Sequence, residues 1–148
     1  MTTKLLNIIL ADDDADDREL FKEAIKESGL EANITMFENG SNLIKHLRKP
    51  GVLLPDILFL DLNMPCMSGV DCLNHLKKES ELKDIAIVIY STFSSDRDIE
   101  TTFLAGASIY LNKPNNFQTL KNILKKVLQL DWQYQTSILN RNNFLFRL

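Results

Sequence analysis

Residues 5–21 read LLNIILADDDADDRELF, and the fold follows from how this passage is parsed. Leu5–Ala11 is a nearly continuous apolar run, as a parallel strand covered on both faces requires. Leu20, Phe21, Ala24 and Ile25 then recur at helical spacing. Between strand and helix stand Asp12, Asp13, Asp14, Asp16 and Asp17. Like charges crowded at the end of a buried strand repel each other and lose hydration, so they need a chemical reason to be there.

The same strand-then-helix unit recurs along the chain. Ile57–Leu60 and Ile85–Ile89 are further apolar runs, whereas Ala32–Phe37 and Ser108–Leu111 alternate apolar and polar residues as edge strands do. Helical stripes fill the gaps: Leu43, Ile44 and Leu47; Val70, Leu73 and Leu76; Ile99, Phe103 and Leu104; then Phe117, Leu120, Ile123, Leu124, Val127 and Leu128. Asp14, Ser41, Ser68, Ser95 and Asn116 are the expected helix caps, and Gly29, Gly51 and Gly106 fall near helix ends. Five such alternations imply an α/β domain with a parallel sheet, right-handed crossovers and helices on both faces. With the second and fifth strands at the edges the order is 2-1-3-4-5, and ligands gather beyond the carboxyl ends of strands 1 and 3.

A chain of 148 residues suits one domain with a real core. Its net charge of −3 and lack of a basic block argue against nucleic-acid binding driven by phosphate neutralisation. No apolar run approaches the roughly 18 residues of a membrane span. Cys66 and Cys72 are too close together to staple a fold, and free thiols place the protein in a reducing cytoplasm. His46 and His75 fall on polar helix sides and read as solvated.

In that strand order Asp12 and Asp13 meet Asp61, which ends the third strand, although about fifty residues separate them. Three carboxylates so close cannot all stay ionised and unpaired: either their pKa values rise or a cation joins them. Hard Mg2+ suits such oxygen ligands. Asp14, Asp16 and Asp17 instead read as first-turn residues that complement the helix dipole. The fourth strand ends in Tyr90, Ser91 and Thr92, and the fifth is followed by Lys113 and Pro114, which adds hydroxyls and an ammonium to the same crevice.

At this point the residues resemble a known family. Ala11–Asp13 (ADD), Asp61–Gly69 (DLNMPCMSG), Ser91 and Tyr110–Pro114 (YLNKP) are similar, in order and spacing, to the motifs of response-regulator receiver domains of two-component signalling. Ser91 follows Asp61 by 30 positions and Lys113 by 52. The resemblance covers about residues 4–130 and implies the flavodoxin-like doubly wound sheet of the chemotaxis regulator, with the order 2-1-3-4-5.

The resemblance also implies roles. Asp61 would accept a phosphoryl group; Asp13, Asp61, Asp12 through water and the backbone carbonyl of Asn63 would hold Mg2+. Lys113 would pair with Asp61 and then with the phosphoryl group, and Ser91 would hydrogen-bond to it. Tyr110 would turn inward as Ser91 moves, changing the surface of the fourth helix, fifth strand and fifth helix. Pro65 and Gly69 would shape the loop after Asp61, and the Lys113–Pro114 bond would be cis. Ser91 stands where threonine is common, Thr92 where a small residue is usual, and Phe93 lies where it could shield the phosphoryl group from water.

The expected partners are a sensor histidine kinase or histidine phosphotransfer protein and a downstream protein target. Residues 131–148 are too few for a separate output domain, so a stand-alone receiver over residues 1–130, with chemistry only on itself, is expected. Phe144, Leu145 and Phe146 make this tail apolar, so it either packs back on the domain or joins a homodimer or partner. A relay intermediate and a degenerate, constitutively binding receiver remain alternatives. A haloacid-dehalogenase-like phosphatase would need a second aspartate where Asn63 stands. A flavodoxin-like cofactor binder would need a phosphate loop where the aspartates stand.

Overall fold

The computed structural model describes residues 5–92, 95–130 and 144–146. Its elements are β1 (Leu6–Ala11), α1 (Ala15–Glu27), β2 (Ala32–Phe37), α2 (Gly40–Leu47), β3 (Ile57–Leu60), α3 (Gly69–Lys78), β4 (Ala86–Ser91), α4 (Asp96–Leu104), β5 (Ile109–Asn112), α5 (Phe117–Leu128) and β6 (Leu145–Phe146). The first five strands are parallel in the order β2-β1-β3-β4-β5, as read from the alternation.

Side chains alternate across each strand, so every central strand feeds two cores. Ile9, Ala11, Leu58, Leu60, Ile87 and Ile89 face Leu43, Leu47, Leu73 and Leu76 from α2 and α3. Ile8, Leu10, Ile57, Phe59 and Val88 face Phe21, Ile25, Leu120 and Leu124 from α1 and α5. Both sides of the sheet are dry, which explains the near-continuous apolar runs of β1, β3 and β4.

Helix starts follow the capping residues. Asp14, Ser68, Ser95 and Asn116 each accept the backbone N–H three positions on. The second helix departs from expectation: its cap is Asn39, whose side chain accepts the Asn42 N–H, and Ser41 lies inside the helix. Asn offers the same acceptor, and it comes before Gly40, where the helical turn already begins. Two stripe residues face water, Leu20 at 46% and Leu104 at 73% exposure, each at the margin of its helix's apolar arc. His75 is exposed as expected, whereas His46 is half-buried and packs on Phe37 with ring centres 5.1 Å apart.

β5 is not an edge. Tyr110 pairs with Leu145 and Leu111 with Phe146, so β6 extends the sheet in parallel. Phe144 is fully buried, its ring 5.3 Å from Phe103 and 6.2 Å from Tyr110. This part of the tail therefore packs back on the domain, covering a strand edge that would otherwise invite pairing. The remainder of the tail, and Phe93, lie outside the described residues. Among the described residues no helix is long and apolar enough to cross a membrane.

Candidate functional site

Strand register delivers the site. Ala11 lies beside Leu60, and the Asp61 N–H donates to the Ala11 carbonyl at 3.0 Å, so the chain leaves β1 and β3 side by side. Asp12, Asp13 and Asp61 thereby bring carboxylate oxygens within 4.8 Å of one another, with Asp12 and Asp61 buried and Asp13 exposed. On the other side Ser91 pairs with Asn112, and the Lys113 N–H donates to the Ser91 carbonyl at 2.8 Å. That contact aims the lysine across the sheet ends.

Lys113 Nζ lies 2.7 Å from Asp12 Oδ2, 2.8 Å from Asp17 Oδ2 and 3.5 Å from Asp61 Oδ2. It also sits 5.3 Å from the Tyr90 ring centre. Tyr90 itself belongs to an edge-to-face group with Phe21 and Phe59, so it is a core residue and the floor under the lysine. Asp12 Oδ1 accepts the Asp14 N–H, and Arg18 donates to the Asp12 carbonyl, which tie the start of α1 to the crevice.

Burial dominates the electrostatics. It pushes Asp61 up from 3.8 to about 6, opposed by Lys113 and reinforced by the Asp12 charge. Burial raises Asp12 as well, against its bonds to Lys113 and the Asp14 N–H. For Lys113 burial works downward, but the bonds to Asp12 and Asp17 outweigh it and hold the ammonium above the usual lysine value. One ammonium thus faces three carboxylates, which leaves the pocket short of positive charge.

The donor set fits a hard divalent cation: clustered carboxylate oxygens, and Asn63 beside them, its N–H donating to Asp61 Oδ1 at 3.4 Å. Ser91 is buried, and its Oγ has no well-formed hydrogen-bond partner among the described residues, so a donor is held ready at the crevice wall. Tyr110 is fully buried, and burial pushes its hydroxyl up to about 12, opposed in part by the nearby Ser91 hydroxyl.

The loop after Asp61 turns through Cys66 at φ 69° and returns so that the Gly69 N–H donates to the Leu62 carbonyl at 2.9 Å. Pro65 accepts the Met67 N–H within it. A Cβ on Gly69 would collide with the Asp61 carbonyl and the Leu62 Cα, both backbone. Gly69→Ala is therefore expected to cost about 1–3 kcal/mol and to displace the Asp61 segment. Urea unfolding, with Gly29→Ala as the comparison at an uncrowded positive-φ site, measures this.

Two expectations need correction. No peptide bond among the described residues is cis, so Lys113–Pro114 is trans, the intrinsically preferred isomer. The lysine reaches the crevice regardless, because its N–H is anchored on Ser91. Asp17 is no mere helix-start charge but a direct partner of Lys113. The signal was present: Asp17 stands four positions before Phe21, on the stripe that Phe21, Ala24 and Ile25 bury.

Residues 8–125 match the family described as "Response regulator receiver domain". The "Probable methanogenesis regulatory protein FilR2" of Methanothrix harundinacea is 28% identical over 130 residues, with 84% of each chain covered. The "Response regulator Rcp1" of Synechocystis is 27% identical, covering 81% of this chain and 82% of that one; its crystal structure in an Mn(2+)-bound form superposes with a TM-score of 0.75 at 25% identity over 82% and 91% of the two chains. The phosphorylated cyanobacterial phytochrome response regulator RcpA gives 0.78 at 27% identity, over 84% and 91%. With the family matched over most of its length and the acidic crevice in place, this chain belongs to the response regulator receiver domains.

Proposed function

We propose that the crevice accepts a phosphoryl group on Asp61 from a histidine kinase or histidine phosphotransfer protein, with Mg2+ bound, and that this changes a protein-binding surface. The observation that carries the reading is the meeting of Asp12, Asp13 and Asp61 within 4.8 Å, with Lys113 3.5 Å from the acceptor. An Asp61 carboxylate oxygen attacks phosphorus as the donor's P–N bond breaks, and the departing imidazole keeps the electron pair and takes a proton. At neutral pH a group titrating at about 6 is mostly ionised and able to attack.

Asp13, Asp61, Asp12 through water and the Asn63 carbonyl would hold the metal, which would neutralise charge on the transferred oxygens. Lys113 would pair with one of these oxygens, and the buried Ser91 hydroxyl would donate to another. Phosphorylation adds about −1.5 to −2 charge units, enough to draw both groups in. Tyr110 is already buried, so an inward turn has no outward starting point here. The change instead passes from Ser91 to Tyr110 and on to Phe144 and Phe103, and so reaches α4, β5 and β6. The protein acts through contacts with other proteins and turns over no other substrate.

Amide spectra by NMR, with and without Mg2+ and the phosphoryl mimic beryllofluoride, test this. Shifts at the crevice that extend into α4 and β5 are expected. Shifts confined to residues next to Asp61 would contradict a switching surface and favour a constitutive binder.

A further inference from the structure

We propose that Asp17 is a positioning residue: it holds Lys113 back from Asp61 in the resting state, keeping the acceptor open to a divalent cation, and yields the ammonium to the incoming phosphoryl group. The inference rests on the functional reading above and deepens it.

Three carboxylates converge on Lys113, and the two nearest are not the acceptor. Asp12 and Asp17 stand 2.7 and 2.8 Å away, against 3.5 Å for Asp61. The lysine side chain is 9% exposed, so it is held between protein groups more than by water. Asp17 can hold it firmly because its own backbone is fixed: its N–H donates to the Asp14 cap at 3.1 Å, inside the first turn of α1.

The placement matters for the cation. An ammonium seated fully on Asp61 would repel a divalent ion at Asp12, Asp13 and Asp61, and like charges at such separations interact strongly where water is scarce. Shared between Asp12 and Asp17, the ammonium stands 3.5 Å from Asp61 and is not seated fully on the acceptor. A phosphoryl group then carries more charge and more acceptor oxygens than a carboxylate, so it outcompetes Asp17 for the same ammonium.

Removing Asp17 should therefore act with opposite signs on two ligands. In Asp17→Asn, Lys113 settles on Asp61, so Mg2+ binds about fivefold more weakly, while beryllofluoride at saturating Mg2+ binds about fivefold more tightly, the scale expected of one ion pair. Asp16→Asn removes an equal charge from the same turn at an exposed position, and both affinities should stay within about twofold of the parent's. Asp17→Glu restores a carboxylate to the lysine and should return both affinities toward the parent's. Isothermal titration calorimetry reads the affinities, and the 15Nζ resonance of Lys113 should shift in Asp17→Asn alone. If Asp17→Asn behaves like Asp16→Asn, the proposal is overturned. If the parent binds neither ligand, the functional reading itself has failed, and this inference with it.

Discussion

Asp61→Asn is expected to be more stable than the parent at neutral pH, although it replaces the central residue of the site. The folded-state pKa of Asp61 is about 6, above the 3.8 of an unfolded chain. Between those values the folded state binds more protons than the unfolded state, so stability falls as pH rises from about 4 to about 6, and the full penalty persists above that. A shift of about two units corresponds to roughly 3 kcal/mol, or a gain of roughly 5–10 °C for the neutral variant. The gap should narrow steeply toward pH 4 and close below the unfolded-state value, where the parent's carboxyl is protonated in both states. Millimolar Mg2+ should raise the parent's melting temperature and leave Asp61→Asn nearly unchanged. Thermal melts at pH 4 and pH 8 measure both effects, and a parent as stable as the variant at pH 8 without metal would contradict this picture of the crevice.

Lys113→Met should have the opposite sign and a larger size. Methionine keeps much of the apolar stem over Tyr90 while removing the ammonium. Asp12, whose side chain is fully buried, then loses its cation, and Asp17 and Asp61 lose theirs. Breaking a buried pair costs about 3–5 kcal/mol. Because the pKa values of Asp12 and Asp61 are already raised, protonation relieves part of this loss, so the variant should suffer less at pH 5 than at pH 8. Mg2+ should also repair it, by supplying another cation to the same oxygens. Urea unfolding at the two pH values, with and without Mg2+, decides the matter. A loss equal at both and indifferent to metal would mean that Lys113 contributes packing and not charge.

Much of this was legible in the sequence because the signals were dense. The runs Ile57–Leu60 and Ile85–Ile89 could only be doubly covered strands, and once the strand order was in place Asp12, Asp13 and Asp61 had to meet. What escaped depended on side-chain reach and on segments without periodicity. Asp17 reads as an acidic residue of a first helical turn, and its place four positions before Phe21 shows the face it shares but not that α1 brings it over Lys113. The apolar Phe144, Leu145 and Phe146 pointed to a tail that packs on the domain or on a partner, but they carried no strand pattern, so the parallel pairing of Leu145 and Phe146 with β5 was not legible. The Tyr110 ring, read as an outward group that turns in, is instead packed beside Phe144 from that returning segment.

The central claim is that the carboxylates at the ends of β1 and β3 form one metal-dependent acceptor. Intact-mass spectrometry after incubation with acetyl phosphate tests it most directly. A single added phosphoryl group is expected on the parent in Mg2+, none in EDTA, and none on Asp61→Asn under either condition. Phosphorylation that persists in EDTA, or that survives the loss of Asp61, would contradict it.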